Sequence, residues 1–230
     1  MAFSGSSFIQ YDSENGAAAA SHTLTLSGAP TEGNFLLLVI RGTNEVEANY
    51  TPPSGFSLIA KHERASESIY AWGKIAGASE GTSFEVTATS TYIFWSLLRE
   101  ISDASSSSAV GADTDSNTAT NSLTIQAGTA AIDATSGSLV IAAASHIGSG
   151  LDPTPDSVSD SFTMLDVGDP PNEDQSVDLA YLVAPSTSTY NTTFTYAGTV
   201  TRRSSVIFSL LPAGASSAAR RSRLSLLGVG

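Results

Sequence analysis

GNFLLLVI, beginning at Gly33, and GSLVIAAA, beginning at Gly137, decide the fold. Each opens on a glycine and then runs apolar for six residues, Phe35 to Ile40 and Leu139 to Ala144. A short apolar run bounded by turn residues and apolar on both of its period-2 faces reads as a strand covered on both sides. Outward from these runs the pattern changes to alternation. Leu24 and Leu26 alternate with Thr23 and Thr25; Ile69, Ala71, Gly73 and Ile75 alternate with Tyr70, Trp72 and Lys74. Phe84, Val86 and Ala88, then Leu123 and Ile125, then Val177, Leu179, Tyr181 and Val183, then Phe194 and Tyr196 repeat the theme. Successive side chains of a strand point to opposite faces, so alternation predicts strands with one buried face. No stripe of helical period stands out between Ser4 and Pro212, and Gly, Pro, Asn, Asp and Ser clusters recur between the runs, as in all-β sandwiches.

The runs recur in order. SHTLTLSG (from Ser21) aligns with NSLTIQAG (from Asn121), and GNFLLLVI with GSLVIAAA. GFSLIA, with Phe56, aligns with SFTMLD, with Phe162, and SIYAWGKIAG (from Ser68) with VDLAYLVAPS (from Val177). SFEVTAT, with Phe84, aligns with TFTYAGT, with Phe194, and YIFWSLL with SVIFSLL, setting Trp95 against Phe208. Self-similarity of this kind marks an internal duplication. The copies are residues 21–103 and 121–212, joined by a Ser- and Asp-rich connector at 104–120 that reads as a flexible linker or, in the favoured reading, as carrying a short crossover strand. The expectation is an all-β, antiparallel β-sandwich of jelly-roll type over residues 1–212, built from an internal duplication. The two copies would either face each other as sheets or interleave.

Composition limits the function classes. The net charge of −12 argues against direct binding of a phosphate backbone by the body. The absence of cysteine removes disulfides, thiolate nucleophiles and cysteine-ligated zinc. Neither a signal peptide nor an apolar run long enough to span a membrane is read. The end of the chain differs from the rest. AGASSAARRSRLSLLGVG, from Ala213, carries three arginines and no acid, which leaves about −15 on the rest of the chain. It reads as an extended basic arm, residues 213–230, in which Arg220, Arg221, Arg223, Leu224, Leu226 and Leu227 contact a partner.

GNFLLLVIRG, TPPSGFSLIA, SIYAWGKIAG and SFEVTAT together resemble a recurrent pattern of phage and phage-derived proteins. There a Gly-Asp/Asn-Leu-Leu strand precedes a Thr-Pro-Pro-x-Gly-aromatic turn, a Tyr/Trp-Lys strand and a Thr-rich strand. The likeness covers most of the first copy and, more faintly, the second. It implies jelly-roll-like sandwiches of the kind found in head decoration (cement) proteins, fibres and minor tail proteins. The turn itself has a physical basis: Pro52 and Pro53 fix φ, Gly55 permits the turn, and Phe56 re-enters the core. The second copy keeps Phe162 and loses the prolines.

Five features of the sequence are candidate sites. Gly77-Ala78-Ser79-Glu80-Gly81 fits G-x-S-x-G but lies between two strands, where a hydrolase elbow needs a strand-to-helix turn, so it reads as a hairpin loop. The acidic loop with Asp166, Asp169 and Asp174 offers oxygens to calcium, although its spacing matches no EF-hand and Pro170-Pro171 stiffens it. His22, His62 and His146 are too scattered for zinc and read as surface or strand-end residues. Tyr70 and Trp72 supply faces on which a glycan could stack, with core packing as the alternative. Arg202 and Arg203 pair with acidic loops or cross to a neighbour. No cofactor is implied and no catalytic constellation emerges. The expected function is that of a non-enzymatic virion protein on the capsid surface, made in the host cytoplasm. Its partners would be the major capsid protein and neighbouring copies, with a trimer favoured. A host-glycan-binding adhesion module of a fibre or tail is the alternative.

Overall fold

The computed structural model describes residues 3–15, 19–42, 46–63, 67–92, 94–104, 112–115, 122–148, 155–165 and 175–213. Among these the chain is all-β, with two single-turn 3-10 segments and no α-helix. The strands are β1 (Phe8–Asn15), β2 (Ala19–Thr25), β3 (Phe35–Gly42), β4 (Tyr50–Thr51), β5 (Ser57–His62), β6 (Ser68–Ile75), β7 (Ser83–Tyr92) and β8 (Phe94–Ile101). They continue with β9 (Ala112–Asp115), β10 (Ser122–Ala134), β11 (Leu139–Gly148), β12 (Ser157–Val158), β13 (Thr163–Leu165), β14 (Gln175–Val183) and β15 (Ser188–Leu210). All ladders are antiparallel. One sheet has the order β1-β8-β3-β6-β5, and a second, small sheet has the order β2-β7-β4. The third runs β10-β15-β11-β14-β13, with β9 and β12 also on β15. The connector thus carries a short strand, β9, laid against Ser205–Phe208.

Three apolar layers hold these sheets together. Phe35, Leu37, Val39, Trp95 and Leu97 pack against Leu139, Ile141, Ala143, Val206 and Phe208, so this layer joins the two halves of the chain. Leu36, Leu38, Ile40, Tyr70, Trp72 and Leu98, on the opposite face of the first sheet, pack against Leu24, Leu26, Phe84 and Val86 of the small sheet. Val140, Ala142, Ala144 and Ile207 pack against Ile125, Phe194 and Tyr196 in the same way within the second half. Strand β15 makes this last layer from a single extended segment: its first part pairs with β10 and its last part with β11. The central strands are therefore buried on both faces. All eight residues of β3 are buried, as its continuous apolar run predicts.

Strand β6 departs from the one-faced reading. Ser68 to Gly73 are all buried, because Ile69 and Ala71 face the layer between the halves while Tyr70 and Trp72 face the small sheet. Ala71 and Gly73 leave room for neighbours. A Cβ on Gly73 would come 2.2 Å from the Phe35 ring and 2.7 Å from Ile59. Strand β14 is also covered on both sides, and it carries a buried carboxylate, Asp178, where alternation predicted an outward polar residue.

The ladder registers fix which side chains share a face. Phe35 pairs with Ile75 and Leu139 with Val183. On the other side of the same strands, Phe35 pairs with Ile101 and Leu139 with Leu210. Leu24 pairs with Phe84 and Ile125 with Phe194. A one-residue slip would exchange faces, so these registers decide which side chains are core. Certain turns repeat in backbone detail. Gly33 donates to Ala76 O (3.0 Å) and Gly137 to Ala184 O (2.8 Å), with both glycines at positive φ, +86° and +81°. Phe56 N donates to Pro53 O (3.3 Å) and Phe162 N to Ser159 O (3.2 Å).

Candidate functional site

The sequence candidates do not converge. Tyr70 and Trp72 are buried, their rings 5.3 Å apart inside the layer beneath the small sheet, so neither offers a face to a sugar. Ser79 is exposed in the turn between β6 and β7, with no helix following it. Asp166, Asp169 and Asp174 lie outside the described residues, as do Arg220, Arg221, Arg223, Leu224, Leu226 and Leu227. Among the described residues, no group of three or more His, Asp or Glu side chains is arranged to hold a metal ion.

The ionisable groups that the fold does gather lie inside it. At one end of the layer between the halves, Arg41 on β3 makes a two-pronged pair with Glu67, Nε to Oε1 at 2.6 Å and Nη2 to Oε2 at 2.8 Å. Both side chains are essentially shielded from water. Ser204 of β15 donates to Glu67 O (2.8 Å), and its Oγ lies 3.1 Å from His62 Nδ1 of β5. The cluster therefore fastens the second half to the first. A planar guanidinium facing a carboxylate fork is the geometry in which a buried charge pair is best satisfied.

A second cluster lies within the β10–β15 half. Tyr196 donates to Asp178 Oδ2 (2.7 Å), and His146 Nε2 is 3.6 Å from the same oxygen. The His146 ring stands edge-on to Tyr196 at 4.6 Å. Arg203, buried beside them, donates to Thr124 O of β10. Tyr196 belongs to the first part of β15 and Arg203 to the last, so the cluster secures the strand where it passes between layers. Burial, and then the neighbouring Asp178 charge, push the Tyr196 hydroxyl well above its ordinary range. Arg203 is thus a buried residue and not an exposed one. His146 and His22 are core residues, not surface or strand-end ones.

His22 occupies the other sandwich, stacked on Phe94 at 3.8 Å with Nδ1 2.8 Å from Ser96 Oγ. Burial pushes its imidazole below the ordinary 6.5, an effect opposed by the Glu14 carboxylate. The folded chain holds His22 neutral where the unfolded chain takes up a proton. Its contribution to stability is complete above pH 6.5 and is lost as pH falls from there through the lowered folded value. His22→Gln is expected to flatten that part of the stability–pH curve, as measured by denaturant midpoints on either side of pH 6.5.

At the surface, two carboxylates close an edge. Asp12 Oδ2 accepts from Thr25 N (2.6 Å) and Glu14 Oε2 from Thr23 N (2.7 Å), so β1 side chains satisfy backbone donors of β2. Glu100, buried, accepts from Thr31 N (2.8 Å), Asn34 Nδ2 (2.5 Å) and Gln10 Nε2 (2.6 Å) and ties the β2–β3 loop to β1. These residues leave only a weak signal in the sequence, a charged residue inside an apolar strand, such as Arg41 after Ile40 or Asp178 after Val177. No family model matches the chain, and no match was found among the curated proteins or the solved structures.

Proposed function

We propose that the chain is a non-enzymatic structural subunit of a virus particle, foremost a decoration (cement) protein on the head of a tailed phage, made of two duplicated jelly rolls packed back to back. An eight-stranded jelly roll pairs its strands in the orders 1-8-3-6 and 2-7-4-5. The first half follows this with β1-β8-β3-β6 and β2-β7-β4, β5 lying on the β6 edge instead. Substituting β9 to β14 for β1 to β6, and the two parts of β15 for β7 and β8, reproduces every one of these pairings in the second half. The repeated Gly33 and Gly137 turns support the same reading.

The observation that carries the functional reading is where the chemistry lies. The two inner sheets cover each other, and Arg41, Glu67, His146, Asp178 and Arg203 are engaged in interior clusters. What the body offers outward is an acidic, small-residue surface, joined to a basic arm. Such a molecule acts by buried area and charge complementarity. Its partners in this reading are the major capsid protein and neighbouring copies, and a threefold assembly is favoured because closed symmetry lets one patch serve every subunit. The sequence resemblance to phage decoration proteins supports this choice of particle.

The test is binding to capsids stripped of this protein. Deleting residues 213–230 is expected to abolish occupancy on the particle while leaving the β circular dichroism of the body intact. Unchanged occupancy overturns the assignment of the arm, and failure of the full chain to bind any capsid overturns the assignment of the particle.

A further inference from the structure

We propose that β2 is an acid-released flap: protonation of His22 frees Ala19–Thr25 from the first half and bares the apolar layer and the β7 edge beneath it, while the rest of the fold stays closed. Strand β2 ends the small sheet, and among the described residues its ladder partner is β7 alone. Its other edge is held by side chains in place of a ladder: Asp12 accepts from Thr25 N (2.6 Å) and Glu14 from Thr23 N (2.7 Å). A strand held by one ladder and a few side chains belongs to the low-stability end of a fold and opens locally. The chain that follows is fixed separately. Gln10 brackets Gly28, Oε1 accepting from Gly28 N and Nε2 donating to Gly28 O, both at 3.0 Å. Glu100 holds Thr31 and Asn34. Opening therefore ends near Ser27 and leaves β3 in place.

His22 is the only titratable side chain on β2, and it points inward. Its ring lies on Phe94 at 3.8 Å, with Nδ1 2.8 Å from Ser96 Oγ, both of β8. Its ladder partner on β7 is Val86, and Tyr50 of β4 and Tyr70 of β6 pack in the same layer. Arg41 of β3 is turned to the opposite layer, toward Glu67. Glu85 of β7 is exposed, opposite Thr23, and Glu100 lies four residues along β8 from Ser96, bonded to Thr31 and Asn34. The carboxylate that acts on the ring is Glu14, and burial outweighs its attraction, so the closed layer holds the imidazole neutral. Once β2 swings out, water solvates the imidazolium. The open form thus binds a proton that the closed form excludes, and opening is favoured as pH falls below 6.5. With the closed ring unprotonated, the opening constant rises by up to about 30-fold between pH 7.5 and 5.0. Opening uncovers Leu36, Leu38, Phe84 and Val86 and leaves the β7 edge as a template for another strand. This goes beyond the assembly role, because it is a response of the free chain.

Amide hydrogen exchange of the full chain at pH 7.5 and 5.0 tests this, read as protection factors, which divide out the intrinsic pH dependence of exchange. The amides of residues 21–25 are expected to lose protection by up to about 30-fold at the lower pH, while those of β3 and β11 keep theirs. Equal protection of β2 at both pH values overturns the flap, and a parallel loss in β3 and β11 overturns its confinement to β2. In His22→Gln the β2 amides are expected to keep their protection at pH 5.0; the same loss in that variant overturns His22 as the trigger. A second readout needs no variant. The nitrogen-15 shifts of the His22 ring are expected to move to imidazolium values over the same pH interval as the loss of protection, and a ring that titrates outside that interval also overturns the trigger.

Discussion

Glu67→Gln is expected to lower folding stability by about 3–5 kcal/mol, because it leaves a buried guanidinium without the carboxylate that neutralises it. The Arg41–Glu67 pair is two-pronged and fully shielded, and the Glu67 backbone also receives Ser204 from the other half of the chain. Screening by solvent, which reduces surface pairs to a small effect, does not operate here. Urea unfolding at neutral pH measures the loss. The double substitution Arg41→Met with Glu67→Leu separates charge from packing. It removes both desolvated ions and is expected to recover most of the loss. If Glu67→Gln is as stable as the parent, the pair does not anchor the junction. If the double variant is no better than the single, the loss comes from shape and not from uncompensated charge.

The same residues show how far sequence reading reaches. Period and apolarity placed the strands well, because burial of a strand face is written directly into alternation, and Phe35 to Ile40 signalled a doubly covered strand without ambiguity. What alternation could not show was that β6 and β14 are also doubly covered. Alanine and glycine at Ala71, Gly73 and Ala180 look neutral in a pattern, yet all three are buried, and Gly73 is what admits Phe35 and Ile59 of the two neighbouring strands. Register was less legible still: the ladders set Trp95 against Arg41 and Phe208 against Ile141. A one-dimensional match cannot see hydrogen-bonded partners. Buried charge was the least legible feature. Arg41, Asp178 and Arg203 are unlike their neighbours in type, and only tertiary contacts show which group meets each: a carboxylate, a hydroxyl and a backbone carbonyl.

Phe208→Ala is expected to destabilise the whole chain by about 3–5 kcal/mol through lost burial and the cavity left behind. The fully buried Phe208 ring belongs to the second half but faces the layer shared with the first, where Phe35, Leu37 and Leu97 also pack. Both tryptophans, Trp72 and Trp95, belong to the first half. Trp72 packs in the layer beneath the small sheet, away from Phe208, whereas Trp95 packs in the shared layer, so fluorescence reports on the first half from both of its faces. If the shared layer makes the two sandwiches one cooperative unit, fluorescence and far-UV circular dichroism shift together to a lower denaturant midpoint and remain coincident. If the halves are independent, circular dichroism splits into two steps and the tryptophan transition keeps its parental midpoint. The first outcome is expected because each inner sheet is buried on both faces. Neither sandwich can lose the other without exposing Val39 and Ile69 on one side, or Ile141 and Val206 on the other, to water.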